Sequence, residues 1–141
     1  ENLKKLFSDF TITNNVITFG TFDLLHIGHI NILEKCKNLG DKLIVGISTD
    51  QFSYEKKQRY PIYSENERKK IIESLKFVDN VFFEESLELR RDYILKYKAD
   101  TLVMSMEWKD KFDEFNDICK VIYLDRTPSV STTHLIETIQ N

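Results

Sequence analysis

The chain has 141 residues, 41% hydrophobic and 30% charged, enough for one compact domain with a core of its own. The formal net charge is −3 with no basic field, which argues against a nucleic-acid partner. No apolar run approaches a membrane span and no signal-peptide pattern is present, so neither a membrane partner nor export is expected. Cys36 and Cys119 have no metal spacing and read as reduced, buried thiols, which points to the cytoplasm.

In chain order, residues 1–14 read as an N-terminal appendage, helical around Leu3–Phe10, and residues 15–141 as a single domain. A first strand is predicted at Val16–Phe19. A helix follows over Gly28–Leu39, with Ile32, Leu33, Cys36 and Leu39 at helical spacing and Gly40 as its C-terminal stop. The second strand is Lys42–Ile47. Ser53–Ser64, with Lys56, Lys57, Arg59 and Pro61, has no clean periodicity and reads as a loop. Ser64-x-x-Glu67 is a capping box that opens a helix running to about Leu75. Strands at Asn80–Phe83, Thr101–Met104 and Lys120–Leu124 alternate with helical stretches at Leu87–Tyr97, Trp108–Asn116 and Thr132–Ile139.

This alternation predicts an α/β fold on a parallel sheet. Such sheets bind ligands beyond the carboxyl ends of their strands. The stretch after Phe19, the loop after Ile47, Ser105–Trp108 and Arg126–Thr133 all fall at that edge.

The first of these is the most informative. Gly20-Thr21-Phe22-Asp23-Leu24-Leu25-His26-Ile27-Gly28-His29 joins a strand to the start of a helix. Helix N-termini favour phosphate, through unpaired N–H groups and the helix dipole. Gly28 leaves room for its approach, and the two imidazoles add hydrogen bonds, or charge if protonated. Two histidines three apart also suit a structural pair or a metal half-site. However, no third histidine or carboxylate follows at metalloprotease spacing, which argues against zinc.

Arg126-Thr127-Pro128-Ser129-Val130-Ser131-Thr132-Thr133 precedes the last helix. Arginine can grip phosphate as a bidentate fork, and Ser131 and Thr132 add hydroxyls at a helix start. Taken alone, plain N-capping fits equally well; beside the first motif, phosphate binding is favoured. Lys56, Lys57, Arg59 and Arg68 form a cationic group, either a solvated face or the neutralising wall for a phosphorylated substrate. His134 reads as a partly exposed helix residue, Trp108 as core or pocket wall, and Asp79 as a turn cap.

The two motifs together resemble the signatures of the cytidylyltransferase family. Ile47-Ser48-Thr49-Asp50, Arg68, Val78-Asp79 and Glu107-Trp108 are similar in order and spacing to small bacterial glycerol-3-phosphate cytidylyltransferases. The resemblance runs from about Val16 to the C-terminus. It implies a Rossmann-like nucleotidyltransferase fold with a five-stranded parallel sheet, CTP as donor, a phosphorylated small molecule as acceptor, a Mg²⁺ ion accompanying CTP, and a homodimer. By this resemblance His26 and His29 would contact the triphosphate and Lys56 or Lys57 would bridge the two substrates. Arg126, Thr127, Ser131 and Thr132, with Gly20, Thr21, Phe22, Asp23 and Gly28, would hold the nucleotide. Arg68, Lys76, Asp79, Glu107 and Trp108 would meet the acceptor, and no direct protein ligation of the metal is expected.

Some positions depart from the family pattern. Pro128-Ser129 stands where a glycine turn is usual, Ser105-Met106-Glu107 where Gly-Asp-Asp is usual, and Lys76 where an arginine is usual. An extra residue lies between Asp50 and Arg68. These changes keep two acceptors in view, glycerol-3-phosphate and the N-phosphorylated glutamine that feeds capsule synthesis in a related enzyme. The alternatives are an adenylyltransferase of the same superfamily, acting on FMN or a phosphopantetheine, and a non-catalytic nucleotide sensor.

Overall fold

A computed structural model describes residues 13–126, 136–137 and 139–140. Five strands form one parallel sheet: β1 (Asn15–Gly20), β2 (Lys42–Ser48), β3 (Asn80–Glu84), β4 (Thr101–Ser105) and β5 (Lys120–Leu124), in the order β3-β2-β1-β4-β5. The connecting helices are α1 (Ile27–Asn38), α2 (Asp50–Lys57), α3 (Glu65–Glu73) and α4 (Arg90–Lys96). The chain runs outward from β1 to β2 and β3, then crosses back to β4. The gap between β1 and β4 is therefore the topological switch point, where such sheets open a ligand crevice.

The strands are mainly apolar because both faces of the sheet are covered, with Thr18, Ser48, Glu84 and Thr101 the buried polar exceptions among the described strand residues. On one face Ile17, Phe19, Ile44, Phe82, Leu102 and Met104 pack with Ile94 of α4 and with Phe112 and Phe115. On the other, Val16, Leu43, Val45, Ile47, Val81 and Val103 pack with Leu33 and Cys36 of α1 and Ile72 of α3. Adjacent strand positions such as Val16 and Ile17 serve opposite faces, as the two-residue pleat requires. Cys36 and Cys119 are both free and buried.

Ser53–Ser64 is not all loop: α2 continues to Lys57, and the loop starts only at Gln58, whose φ of 60° closes the helix. This helix escapes a periodicity search because only Phe52 and Ser53 of it are buried, so it shows no apolar stripe. Its local mark is Thr49, whose side chain accepts the Phe52 N–H at 3.1 Å.

Gly40 is not a left-handed helix stop either, since no described glycine has positive φ. A Cβ there would lie 2.6 Å from the Asn14 carbonyl oxygen and 2.7 Å from Val16 Cγ2, so the glycine permits a close backbone approach. The Leu87–Tyr97 helix is regular only over Arg90–Lys96, and Trp108–Asn116 resolves into two 3₁₀ turns, Met106–Trp108 and Asp113–Asp117. Residues 1–12 of the N-terminal appendage and most of the last helix lie outside the described residues.

Candidate functional site

Beyond the end of β1 the chain turns sharply, with Phe22 and Leu24 in the left-handed region at φ 53° and 46°. Non-glycine residues adopt that region only at some strain, which surrounding contacts must hold. The main restraint is Asp23. Its carboxylate accepts the backbone N–H groups of Ile62 at 2.6 Å, Tyr63 at 2.9 Å and Leu24 at 3.1 Å.

His26 and His29 then build the start of α1 as a capping box made of imidazoles. His26 Nδ1 accepts the Gly28 N–H at 3.0 Å, and His29 Nδ1 accepts the His26 N–H at 3.2 Å. Each ring thus uses Nδ1 as an acceptor, so the proton of each neutral imidazole is assigned to Nε2. His26 Nε2 is buried and has no partner among the described residues. The rings stack with centroids 3.9 Å apart. Burial holds His29 down to about 3, helped by His26 and Arg126, and burial with Arg126 also lowers His26. Both are neutral donors in the ligand-free protein.

These groups open onto a cavity of about 460 Å³, within the size range of small-molecule sites. Its β1 side carries Gly20, Thr21, Phe22, Asp23, Gly28 and both histidines. Its β2–β3 side carries Ser53, Lys56 and Lys57 from α2, Glu84 from the end of β3, and Arg90 from the start of α4. Lys56 Nζ donates to Ser48 Oγ at 2.8 Å and lies 4.4 Å from the Phe52 ring centroid. Burial pulls its ammonium down to about 8, against the opposing charge of Glu84. Glu84 Oε2 accepts from Arg90 Nε at 2.7 Å, and the Arg90 guanidinium sits 4.6 Å from the Phe112 ring centroid.

The β4 side carries Met104, Ser105, Glu107, Trp108 and Arg126. Arg126 Nη1 pairs with Glu107 Oε2 at 2.8 Å, while Ser105 Oγ donates to the other carboxylate oxygen at 3.0 Å. The pair is well exposed, 40% and 50%, so an incoming anion can exchange for Glu107 at little cost.

Three residues predicted to meet the acceptor do not line the cavity. Arg68 is fully buried beneath it, donating to the carbonyls of Thr21 (2.8 Å), Ser48 (2.8 Å) and Tyr63 (3.0 Å) and to Asp50 Oδ1 (2.8 Å). Its charge secures the scaffold. Asp79 sits before β3, at the opposite edge of the sheet, where it accepts from Lys37 Nζ at 2.7 Å and the Leu43 N–H at 2.8 Å. Lys76 is exposed in the same region, 5.5 Å from the Phe77 ring centroid. Thr127, Ser131 and Thr132 lie outside the described residues.

Ser53, Tyr60, Glu84 and Arg90 line the cavity without having been singled out from sequence. Glu84 was reachable by rule, since it ends a strand at the ligand edge. Among the described residues no three His, Cys, Asp or Glu side chains group as a metal site, and no helix is long and apolar enough to cross a membrane. Two imidazoles at a helix start, lining one cavity with a lysine and an arginine, are suited to a polyphosphate.

Residues 17–138 match the cytidylyltransferase-like family model. The chain is 47% identical over 124 residues to glycerol-3-phosphate cytidylyltransferase of Bacillus subtilis, covering 88% of this chain and 95% of that one. It is 42% identical to the enzyme of the same name from Staphylococcus aureus, covering 85% of this chain and 90% of that one. Among solved structures, the lipopolysaccharide core biosynthesis protein of Thermoplasma volcanium superposes with a TM-score of 0.71 at 26% identity, covering 82% of this chain and 99% of that one.

Proposed function

The chain belongs to the cytidylyltransferase-like family, and from that premise we propose that it transfers CMP from CTP to a phosphorylated small molecule, releasing pyrophosphate. The observation that carries this reading is the imidazole capping box. It sets two Nε2–H donors at the start of α1, on the wall of a cavity that also holds Lys56 and Arg126.

In this reading an oxygen of the acceptor's phosphate attacks the α-phosphorus of CTP. The bond from that phosphorus to the bridging oxygen breaks, and its electron pair leaves with pyrophosphate. The attacking group is already an anion, so no protein nucleophile is required. The protein's part is positioning and charge stabilisation. His26 and His29 donate to oxygens of the triphosphate, Arg126 holds it from the β4 side, and Lys56 lies toward the acceptor's phosphate.

Mg²⁺ would come with CTP as part of the substrate, and the chemistry it would supply is neutralisation of charge on the leaving group. Asp23, the acidic residue of the signature, is already engaged by three backbone N–H groups, which suits a scaffold role better than a metal ligand. The enzyme is taken to act as a cytoplasmic homodimer supplying a CDP-linked precursor for a capsule or another cell-surface polymer.

The testing experiment is pyrophosphate release with CTP and Mg²⁺ over glycerol-3-phosphate, ribitol-5-phosphate, phosphocholine, phosphoethanolamine and N-phosphorylated glutamine, with ATP in parallel. Turnover with CTP and one acceptor supports the reading and names the substrate. Turnover with ATP alone overturns it in favour of an adenylyltransferase. CTP binding without turnover on any acceptor leaves a nucleotide sensor.

A further inference from the structure

On the β2–β3 side of the cavity two polar atoms are buried with no hydrogen-bond partner among the described residues, Ser53 Oγ and Glu84 Oε1. Ser53 is 2% exposed and Glu84 0%. Buried polar atoms are nearly always paired, and one left without a partner carries the full cost of its desolvation.

Glu84 is not idle for want of order. Its other oxygen is held by Arg90 Nε at 2.7 Å, and Arg90 is in turn stacked on Phe112. The strand register places Glu84 beside Ser48, which receives the Lys56 ammonium. An oriented carboxylate repels phosphate, so the triphosphate gives no reason for it. The vacant valences of Ser53 and Glu84 call for donors on a molecule that brings its own phosphate toward Lys56.

The geometry points to Glu84 and Ser53, with Arg90 as a positioning residue, as the subsite that reads the non-phosphate end of the acceptor. The subsite requires a hydrogen-bond donor there, a hydroxyl or an ammonium. This rests on the cytidylyltransferase reading and adds to it the feature that selects among phosphorylated acceptors.

The test is acceptor binding by calorimetry to the full chain saturated with α,β-methylene-CTP, which cannot turn over. Two matched pairs separate the two donor types: glycerol-3-phosphate against propyl phosphate for hydroxyl, and phosphoethanolamine against ethyl phosphate for ammonium. In the wild type the donor-bearing member of at least one pair should bind roughly tenfold to a hundredfold tighter than its partner. Glu84→Gln keeps an oxygen for Arg90 but turns an N–H into the vacant position, so that ratio should collapse while affinity for the nucleotide analogue holds. Ser53→Ala removes the second acceptor atom without touching the ion pair, and should lower the same ratio even if Glu84→Gln folds poorly.

Equal binding within both pairs in the wild type overturns the subsite, as does an unchanged ratio in both variants; a buried water then satisfies the two atoms. A wild type that fails to bind the nucleotide analogue removes the underlying reading instead.

Discussion

Asp23 accepts the Ile62 N–H at 2.6 Å across 39 positions of sequence. The carboxylate sits between two left-handed residues, Phe22 and Leu24, in the turn that leads to the histidines. One side chain therefore ties the strained turn after β1 to the loop that brings Arg59, Tyr60 and Pro61 to the cavity. Asp23→Asn should lower the unfolding free energy by about 1.5–3 kcal/mol, the usual worth of hydrogen bonds to a charged group. Limited proteolysis should show faster cutting within residues 58–64. An unaltered denaturant midpoint together with unaltered cutting would count against the tether.

His29 should remain the neutral Nε2–H tautomer in the ligand-free protein until the pH approaches about 3. The sign follows from burial. The ordinary value in the unfolded chain is 6.5 and the folded value is lower, so the unfolded state takes up the proton first. The stability this ring contributes is complete above 6.5 and is lost as the pH falls from there toward about 3. Imidazole nitrogen and carbon shifts followed by NMR against pH check it, and an imidazolium signal near pH 6.5 would contradict it.

Replacing that ring should separate two losses. His29→Ala should reduce turnover by roughly 10²–10³, the scale of one preorganised donor. The missing half of the capping box should cost only about 0.5–2 kcal/mol of stability. Stopped-flow turnover and thermal unfolding read the two independently. Turnover within a few-fold of wild type would remove His29 from the chemistry.

Lys56 titrates at about 8, so kcat/KM should fall as the pH rises above that value and the ammonium is lost. Lys56→Arg should flatten the fall, because guanidinium stays charged. Lys57→Arg should leave the profile as it is. The pair of profiles identifies which of the two adjacent lysines serves the phosphates, and the reverse pattern would assign the role to Lys57.

Arg68→Lys should destabilise the protein by about 1–3 kcal/mol, since buried carbonyls lose their donors. An ammonium cannot span the Thr21, Ser48 and Tyr63 carbonyls and Asp50 together. Urea unfolding gives the measurement. A stable variant with impaired acceptor binding alone would return Arg68 to the acceptor.

Gly40→Ala should cost about 1–3 kcal/mol through overpacking, because its new Cβ meets backbone that cannot swing aside. A neutral result by thermal unfolding would show that the Asn14 segment can shift.

The strands were legible because a two-sided parallel sheet needs unbroken apolar runs, and Lys120–Leu124 matches the predicted range. The Ser64–Glu67 box was legible because it is a local contact whose pattern is written in four residues. The same geometry at His26 and His29 was weighed as a structural pair but not as a capping box, since imidazole is not the usual capping group. Arg68 was read as acceptor-binding for a related reason: a cation near a phosphate motif suggests substrate contact, and its bonds to three carbonyls and Asp50 are visible only in the structure. Glu84 and Arg90 went unnoticed because they are six positions apart on different elements, and only packing against Phe19 and Phe112 brings the pair into the cavity wall.

The strand order has a consequence for descent. The proposed donors to the nucleotide, His26, His29 and Arg126, follow β1 and β5, whereas the Ser53, Glu84 and Arg90 corner hangs from β2, β3 and the turn after them. A duplicated gene can therefore drift at one corner while the other is kept under selection. On the proposed reading, a change of acceptor would require substitutions on one flank of the sheet only, with the residues that serve the leaving group untouched on the other.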